Sequence, residues 1–500
     1  MRNKSSGLIW LVLSLALVCL MPSNQSLWID EGYTAQYAQE GSFAQFMSRL
    51  DSEKGSEALM PLGMVSSWAG AKVFGRSEFG LRVVSALWAG VAILLFWRTG
   101  ALIGFAWLPA LIACHAFLWY HGGEVRPYVM VIAMSAGLLY AFVAVLWPGG
   151  ETKRGLHALL LFGPLLCATY VLGFLPFAAV AGVVGIELLR RQWKPRTRDL
   201  LALVISGGAL ILLGLYYARV ISAGADINQR PWGVGLKSLL FSGYELLGFL
   251  GFGPGRYQLR QSVIESGIGG ALQGFAPPTM MGVAMLAFLY TLILLRFWKC
   301  FPSRRSAIDR LALLALLVIA VTVGAMLAIC SIAGSPFWGR HLASLLPFVV
   351  LTVGIAATTP TRTHQRQVNV LLFLLAATLL TSSLLVRFGP NHRRDDYRSA
   401  ASIARLAVQE GKTVWWTAGR VSAEYYGLVF CTADPTSRRA CVIHTDNRDK
   451  EELETLPAPE LILISKPAFH DTTGAMRNYA VEHRFQLKRR LTAFEVFESP

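Results

Sequence analysis

Arg190-Arg191-Gln192-Trp193-Lys194-Pro195-Arg196-Thr197-Arg198 sets five basic residues between two apolar runs, Leu172 to Leu189 and Leu200 to Tyr217. Runs of that length match a hydrocarbon core of roughly 30 Å at about 1.5 Å per helical residue. Arginine and lysine clustered between two such runs mark a loop that stays in the cytoplasm. The stretch reads as the turn of a transmembrane hairpin, and it orients every other apolar run.

Working back from it, His157 to Tyr170, Val129 to Trp147, Leu102 to Tyr120, Arg82 to Trp97 and Gly7 to Met21 are expected to span. Working forward, so are Pro277 to Leu295, Leu311 to Ile332, His341 to Thr358 and Val368 to Val386. With the opening pair this predicts a polytopic α-helical membrane protein of about 11 transmembrane helices. Its N-terminus lies in the cytoplasm, after Arg2 and Lys4, and its C-terminal region lies outside. A secretory signal peptide would begin in the same way, but no small-x-small cleavage site follows cleanly.

Composition agrees with a membrane chain: 54% of the 500 residues are hydrophobic and 15% are charged, with a mean hydropathy of +0.48. The net charge of +16 would suit nucleic acid if it covered one soluble face. Instead the excess sits between apolar runs, at Lys153-Arg154, at Arg296, Lys299, Arg304, Arg305 and Arg310, and at Arg362 and Arg366. From Arg387 to the end, 17 basic residues face 15 acidic ones, so a nucleic-acid partner is not expected.

Residues 1–388 are therefore read as the transmembrane domain. Within it, residues 31–75 are read as outer surface helices, because Thr34 to Leu50 and Ala58 to Phe74 mix polar residues with aromatic anchors. A loop of about 55 residues after Tyr217 contains Trp232, Tyr244 and the glycine-rich Gly248 to Gly255, and loops of that length are usually functional or disordered. Residues 389–500 form a small extracytoplasmic α/β domain, from the alternating runs Ala400 to Glu410, Thr413 to Thr417, Ser422 to Phe430, Ala440 to His444, Leu461 to Ser465 and Gly474 to Arg484. Cys431 and Cys441 lie in this exported region, where oxidation permits a disulfide that spacing alone does not establish.

Chemistry gathers at the expected outer face. In Leu27-Trp28-Ile29-Asp30-Glu31-Gly32-Tyr33, two adjacent carboxylates follow the first apolar run. Carboxylates, with reference pKa values of about 4, are ionised near neutral pH, and one placed there can serve as general base toward an acceptor. The structural alternative has Asp30 capping a helix that begins at Glu31. Arg82 and Arg340, with His341, sit where spans meet the outer surface, and a guanidinium there either anchors the helix or holds a phosphate. Glu124 and Arg126 are close enough in sequence to neutralise each other. His115 and His157 read as buried polar residues, and no metal-spaced cluster is visible. Asp30 and Glu31 could take a divalent metal, although a pair alone is a weak metal signal.

The order of these pieces resembles a known family. Asp30-Glu31, the run Gly75-Arg76-Ser77-Glu78-Phe79-Gly80-Leu81-Arg82-Val83-Val84-Ser85-Ala86-Leu87, Glu124-Val125-Arg126-Pro127-Tyr128, and Gly339-Arg340-His341 followed by Pro347 look like the GT-C membrane glycosyltransferases of the protein O-mannosyltransferase and aminoarabinose-transferase type. Asp395-Asp396-Tyr397-Arg398 is similar to bacterial members. The resemblance implies an inverting transfer of sugar from a polyprenyl-phosphate donor to an extracytoplasmic glycan, lipid or protein acceptor, in the bacterial inner membrane. It implies Asp30 as base with Glu31 in support, and Glu124, Arg126, Tyr128, Arg82, Arg340 and His341 as substrate-binding residues. The family's Pro-Pro-aromatic pattern in the second surface helix is replaced here by Met60-Pro61-Leu62-Gly63. A lipid transporter or flippase would instead place ionisable residues near the bilayer midplane, often in repeated halves. A non-catalytic cell-envelope assembly protein would leave Asp30 unexplained.

Overall fold

The computed structural model describes residues 4–53, 55–223, 234–255, 270, 277–300, 307–335, 337–358, 365–431 and 440–500. Trp232, Arg304, Arg305 and Arg362 lie outside them. The chain forms two compact units. One comprises Met1–Ser23, Ser42–Phe74 and Gly80–His392; the other comprises Asn24–Gly41, Gly75–Phe79 and Arg393–Pro500.

The first unit is a helical bundle built around Tyr128–Leu146, in which every residue except Tyr140 is buried. Its sequence is almost wholly apolar, and a helix apolar on all sides is stable only when enclosed. Gly137 lets the neighbouring helix Thr152–Thr169 come close, because a Cβ there would lie 2.3 Å from the Phe162 ring. Thr197–Ser222 is the opposite case, burying only Asp199, Ser206, Tyr217 and Val220. Leu201, Val204, Ile205, Ile211, Leu212 and Leu215 along it are all more than half exposed. An apolar surface that extensive needs a lipid environment.

Eight described helices are long and apolar enough to cross a membrane: Glu78–Ile103, Tyr128–Leu146, Val171–Arg190, Thr197–Ser222, Met280–Trp298, Ala307–Ile332, Gly339–Ala357 and Gln365–Phe388. Two further expected spans are shorter or less apolar: Lys4–Val18 has 15 residues, and Thr152–Thr169 carries Pro164. The expected span Leu102 to Tyr120 is broken. Glu78–Ile103 ends at Gly104, whose φ is +69°, and Phe105 N donates back to Gly100 O at 2.8 Å. Two short helices follow, Leu108–Ala113 with Pro109 in its first turn and Ala116–Gly122, whose first turn is capped by His115 Nδ1 accepting from Phe117 N at 3.2 Å. The surface segments are also divided, into Ile29–Gln39 and Phe43–Glu53, then a 3-10 turn Ser56–Leu59 and Pro61–Phe74.

The second unit is organised by a five-stranded sheet. Strands β1 (Val414–Thr417), β2 (Val442–His444), β3 (Leu461–Ser465), β4 (Gln486–Leu491) and β5 (Phe494–Glu498) lie in the order β2-β1-β3-β5-β4. The first three are parallel, and β5 runs antiparallel to β3 and β4. Alternate residues face opposite sides of a strand. Val414, Trp416, Leu461 and Leu463 accordingly pack with Tyr397, Ala400 and Ala404 of the helix Tyr397–Gln409, while Trp415, Ile443, Ile462 and Ile464 pack with Leu453, Met476 and Ala480. The hairpin β4–β5 is absent from the runs expected from sequence, because β4 reads Gln-Leu-Lys-Arg-Arg-Leu and is exposed along most of its length. Cys431 and Cys441 are joined as a disulfide.

Candidate active site

In the first unit the residues Glu124, Arg126 and Tyr128 come from the turn between Ala116–Gly122 and Tyr128–Leu146. Glu124 and Arg126 are 2% and 4% exposed, so each requires a partner. Glu124 Oε2 lies 2.8 Å from His121 Nδ1, and its main-chain oxygen accepts from Ser85 Oγ at 2.7 Å. Arg126 Nη1 donates to Glu57 Oε1 at 2.6 Å. Glu57 is itself buried in the 3-10 turn, where its other oxygen accepts from Ser56 Oγ at 3.1 Å. The Arg126 guanidinium lies 5.9 Å from the Tyr128 ring. Burying a guanidinium against a carboxylate and an aromatic ring keeps its charge while excluding water.

His121 and Glu57 went unnoticed in the sequence. His121 is boxed by Phe117, Tyr120 and Tyr128, with ring centroids 4.6, 5.2 and 5.0 Å away, and its Nε2 is buried without a hydrogen-bond partner among the described residues. The spacing of His121 and Glu124 on adjoining turns was the available signal. Glu57 had none, being 69 residues from Arg126.

Arg82 is fully buried, which removes the solvent-exposed anchoring role, and its Nη1 donates to Ser23 O at 3.0 Å and Ser23 Oγ at 3.2 Å. It lies one turn before Ser85 on the same helix, so the helix face that binds Ser23 continues to Glu124. Arg340 and His341 lie in the 3-10 turn Gly339–Leu345 ahead of Leu346–Ala357. His341 Nδ1 accepts from Trp338 N at 3.4 Å, within its own turn. Arg340 and Arg126 both lie within electrostatic reach of Tyr170, whose ring stands perpendicular to Tyr128 at 6.2 Å. Gly339 is pressed against the buried Glu245, whose Oε2 would lie 1.9 Å from a Cβ added at Gly339.

Asp30 and Glu31 belong to the second unit. Their helix begins at Ile29 rather than Glu31, and Glu31 satisfies its N-terminus: Glu31 Oε2 accepts from Trp28 N at 3.1 Å. Glu31 is fully buried, whereas Asp30 in the first turn is half-buried. The helix dipole favours negative charge at both positions. Among the described residues no three His, Cys, Asp or Glu side chains gather as a metal site.

No protein-family model matches the chain, and no curated protein matches it in sequence. Solved structures do match. ArnT from Cupriavidus metallidurans in the apo state aligns with a TM-score of 0.54 at 13% identity, covering 98% of this chain and 97% of that one. The same protein bound to undecaprenyl phosphate aligns with a TM-score of 0.52, at the same identity and coverage. Arabinofuranosyltransferase AftD from Mycobacteria aligns at only 0.41, with 11% identity, over 92% of this chain and 35% of that one, too loosely to carry an inference. The ArnT matches establish the fold: along nearly its whole length the chain follows the architecture of an aminoarabinose transferase of the GT-C class.

Proposed function

We propose that the chain is an inverting glycosyltransferase that moves a sugar from a polyprenyl-phosphate donor to an extracytoplasmic glycan, lipid or protein acceptor. The observation that carries this reading is the end-to-end match to ArnT, a protein captured with undecaprenyl phosphate. In this reading Asp30 is the general base that takes the acceptor proton as the acceptor attacks the anomeric carbon. The lipid phosphate departs with its charge and needs stabilisation more than protonation, for which Arg126, Arg340 and Arg82 are the candidates, with Tyr128, His341 and Glu124 shaping the donor pocket. Glu31 supports Asp30 by holding the helix start.

The bundle is assigned to the bacterial inner membrane with the acid pair and residues 389–500 outside. The basic turn at Arg190–Arg198 supports that orientation, as does the Cys431–Cys441 disulfide, a bond favoured in oxidising compartments.

The test is transfer from a panel of polyprenyl-phosphate sugars, comparing wild type with Asp30→Asn after both are shown to be folded. The wild type is expected to transfer at least one sugar, and loss of the base should slow it about 10²- to 10⁴-fold. Equal rates would remove Asp30 from the mechanism. Movement of lipid without sugar transfer would point to a flippase.

A further inference from the structure

The second unit carries a feature that the transfer reaction leaves unused. Its three parallel strands run β2-β1-β3, so the chain leaves β1 toward β2 and crosses back to β3 on the far side. Open α/β sheets bind ligands at such a switch point, outside the carboxyl ends of the strands. Here those ends are Thr417 with Ala418 and Gly419 after β1, and Ser465 with Lys466 after β3.

Leu27 to Gly32 of the chain itself sit against these residues. Ile29 packs so closely on Gly419 that its Cδ1 would lie 2.6 Å from a Cβ there. Lys466 holds its ammonium 5.6 Å from the Trp28 ring while paired with Asp395. Leu27 N donates to Tyr426 Oη at 2.7 Å, and Ser422 Oγ donates to Trp28 O at 3.3 Å. The Tyr426 hydroxyl, pushed up to about 12 by burial, keeps its proton and donates it to Glu78 Oε1 at 3.1 Å. One turn along, Gly32 meets Ser422 with no space for a side chain: an added Cβ would lie 2.2 Å from Ser422 Oγ and 2.9 Å from its Cα. Farther along, Gln36 Nε2 donates to Glu424 Oε2 at 3.1 Å.

We infer that residues 393–500 form a positioning domain, and that the crevice at the switch point of its sheet holds the helix that carries Asp30. Gly32, Ser422 and Tyr426 are positioning residues, acting on the reaction only through the placement of the Asp30 carboxylate. The inference rests on the reading of Asp30 as base.

The experiment uses the full chain in lipid nanodiscs, with Gly32→Ala, Gly32→Ala/Ser422→Gly and Tyr426→Phe. Sugar transfer and hydrogen exchange of residues 29–39 are both measured. The Gly32→Ala methyl should displace the helix, speed its exchange and lower turnover about 10²-fold with the donor KM unchanged, the size expected of a misplacement near 1 Å. Removing the Ser422 side chain relieves the contacts at Oγ and Cβ but leaves the 2.9 Å approach to Cα, so it should restore turnover and protection together and in part. Tyr426→Phe should loosen the helix to a lesser degree. Wild-type turnover in Gly32→Ala would overturn the inference, as would a double variant whose exchange recovers while its turnover does not. If the wild type transfers no sugar, the proposed function falls. Exchange then decides the anchoring alone, and protection unchanged in both Gly32→Ala and Tyr426→Phe overturns it.

Discussion

The stretch Ala116–Tyr128 and the helix Ile29–Gln39 each bury ionisable side chains; the first reaches far along the chain to satisfy one, and the second bonds one within its own first turn. In the first, Glu124 meets His121 and the neighbouring Arg126 reaches Glu57, far away in sequence. In the second, Glu31 turns back on its own helix and bonds Trp28 N. Arg126, enclosed by the helical bundle, takes its partner from another element, because a buried helix has few free acceptors along its length. A carboxylate in the first turn of a helix has free amides beside it to bond. Asp30 stays half-buried in the same turn, as the proposed base role requires.

This contrast predicts a graded set of effects. The largest belongs to the long-range pair: Glu57→Ala removes the carboxylate that Arg126 reaches and should destabilise the bundle by about 3–5 kcal/mol, while Glu57→Met/Arg126→Met recovers most of that loss. Thermal unfolding in detergent checks both, and equal losses in the single and double variants would break the contrast. Next comes the disulfide of the unit that holds the acid helix. It closes a loop with a sequence separation of 10, so Cys431→Ser should cost that unit about 3 kcal/mol in the chain-entropy account. Selective unfolding of residues 393–500 by denaturant is the measurement.

Glu31→Gln separates capping from catalysis. The amide oxygen still accepts from Trp28 N, so stability should change by less than about 1 kcal/mol and transfer should persist. Transfer lost in a stable Glu31→Gln protein would give Glu31 a charge role and erase its difference from Asp30. The smallest effect concerns pH. Burial holds His444 below the ordinary histidine range, although its Nε2 donates to Ala418 O at 3.0 Å. A lowered folded-state value means that its contribution is full above the unfolded pKa of about 6.5 and is lost as the pH falls below that point. Tryptophan fluorescence of Trp415 and Trp416 during unfolding should show stability declining below that pH, with a slope under one proton, and His444→Gln should flatten it.

Much of the fold is legible in the residues because apolar periodicity is local. Thr197–Ser222 and Ala307–Ile332 emerge from length and hydropathy, and β1, β2 and β3 from short branched and aromatic runs between turns. The failures are equally local in cause. Leu102 to Tyr120 has the composition of a span, but Gly104, Pro109 and His115 close and restart the helix within it. β4 is too polar to read as a strand and is held by pairing with β5.

Written in the sequence are a membrane chain, the positions of its apolar helices, a C-terminal α/β region and an acid pair at a helix start. Each follows from how neighbouring residues partition between water and hydrocarbon, a property that accumulates along the chain. Tertiary structure alone decided that Glu57 answers Arg126 and that the Asp30 helix rests on Ser422 and Gly419. Those choices depend on which distant segments meet and on the low tolerance of a water-free interior for an unpaired charge or an extra methyl group. Neither condition leaves a periodic trace in the order of the amino acids.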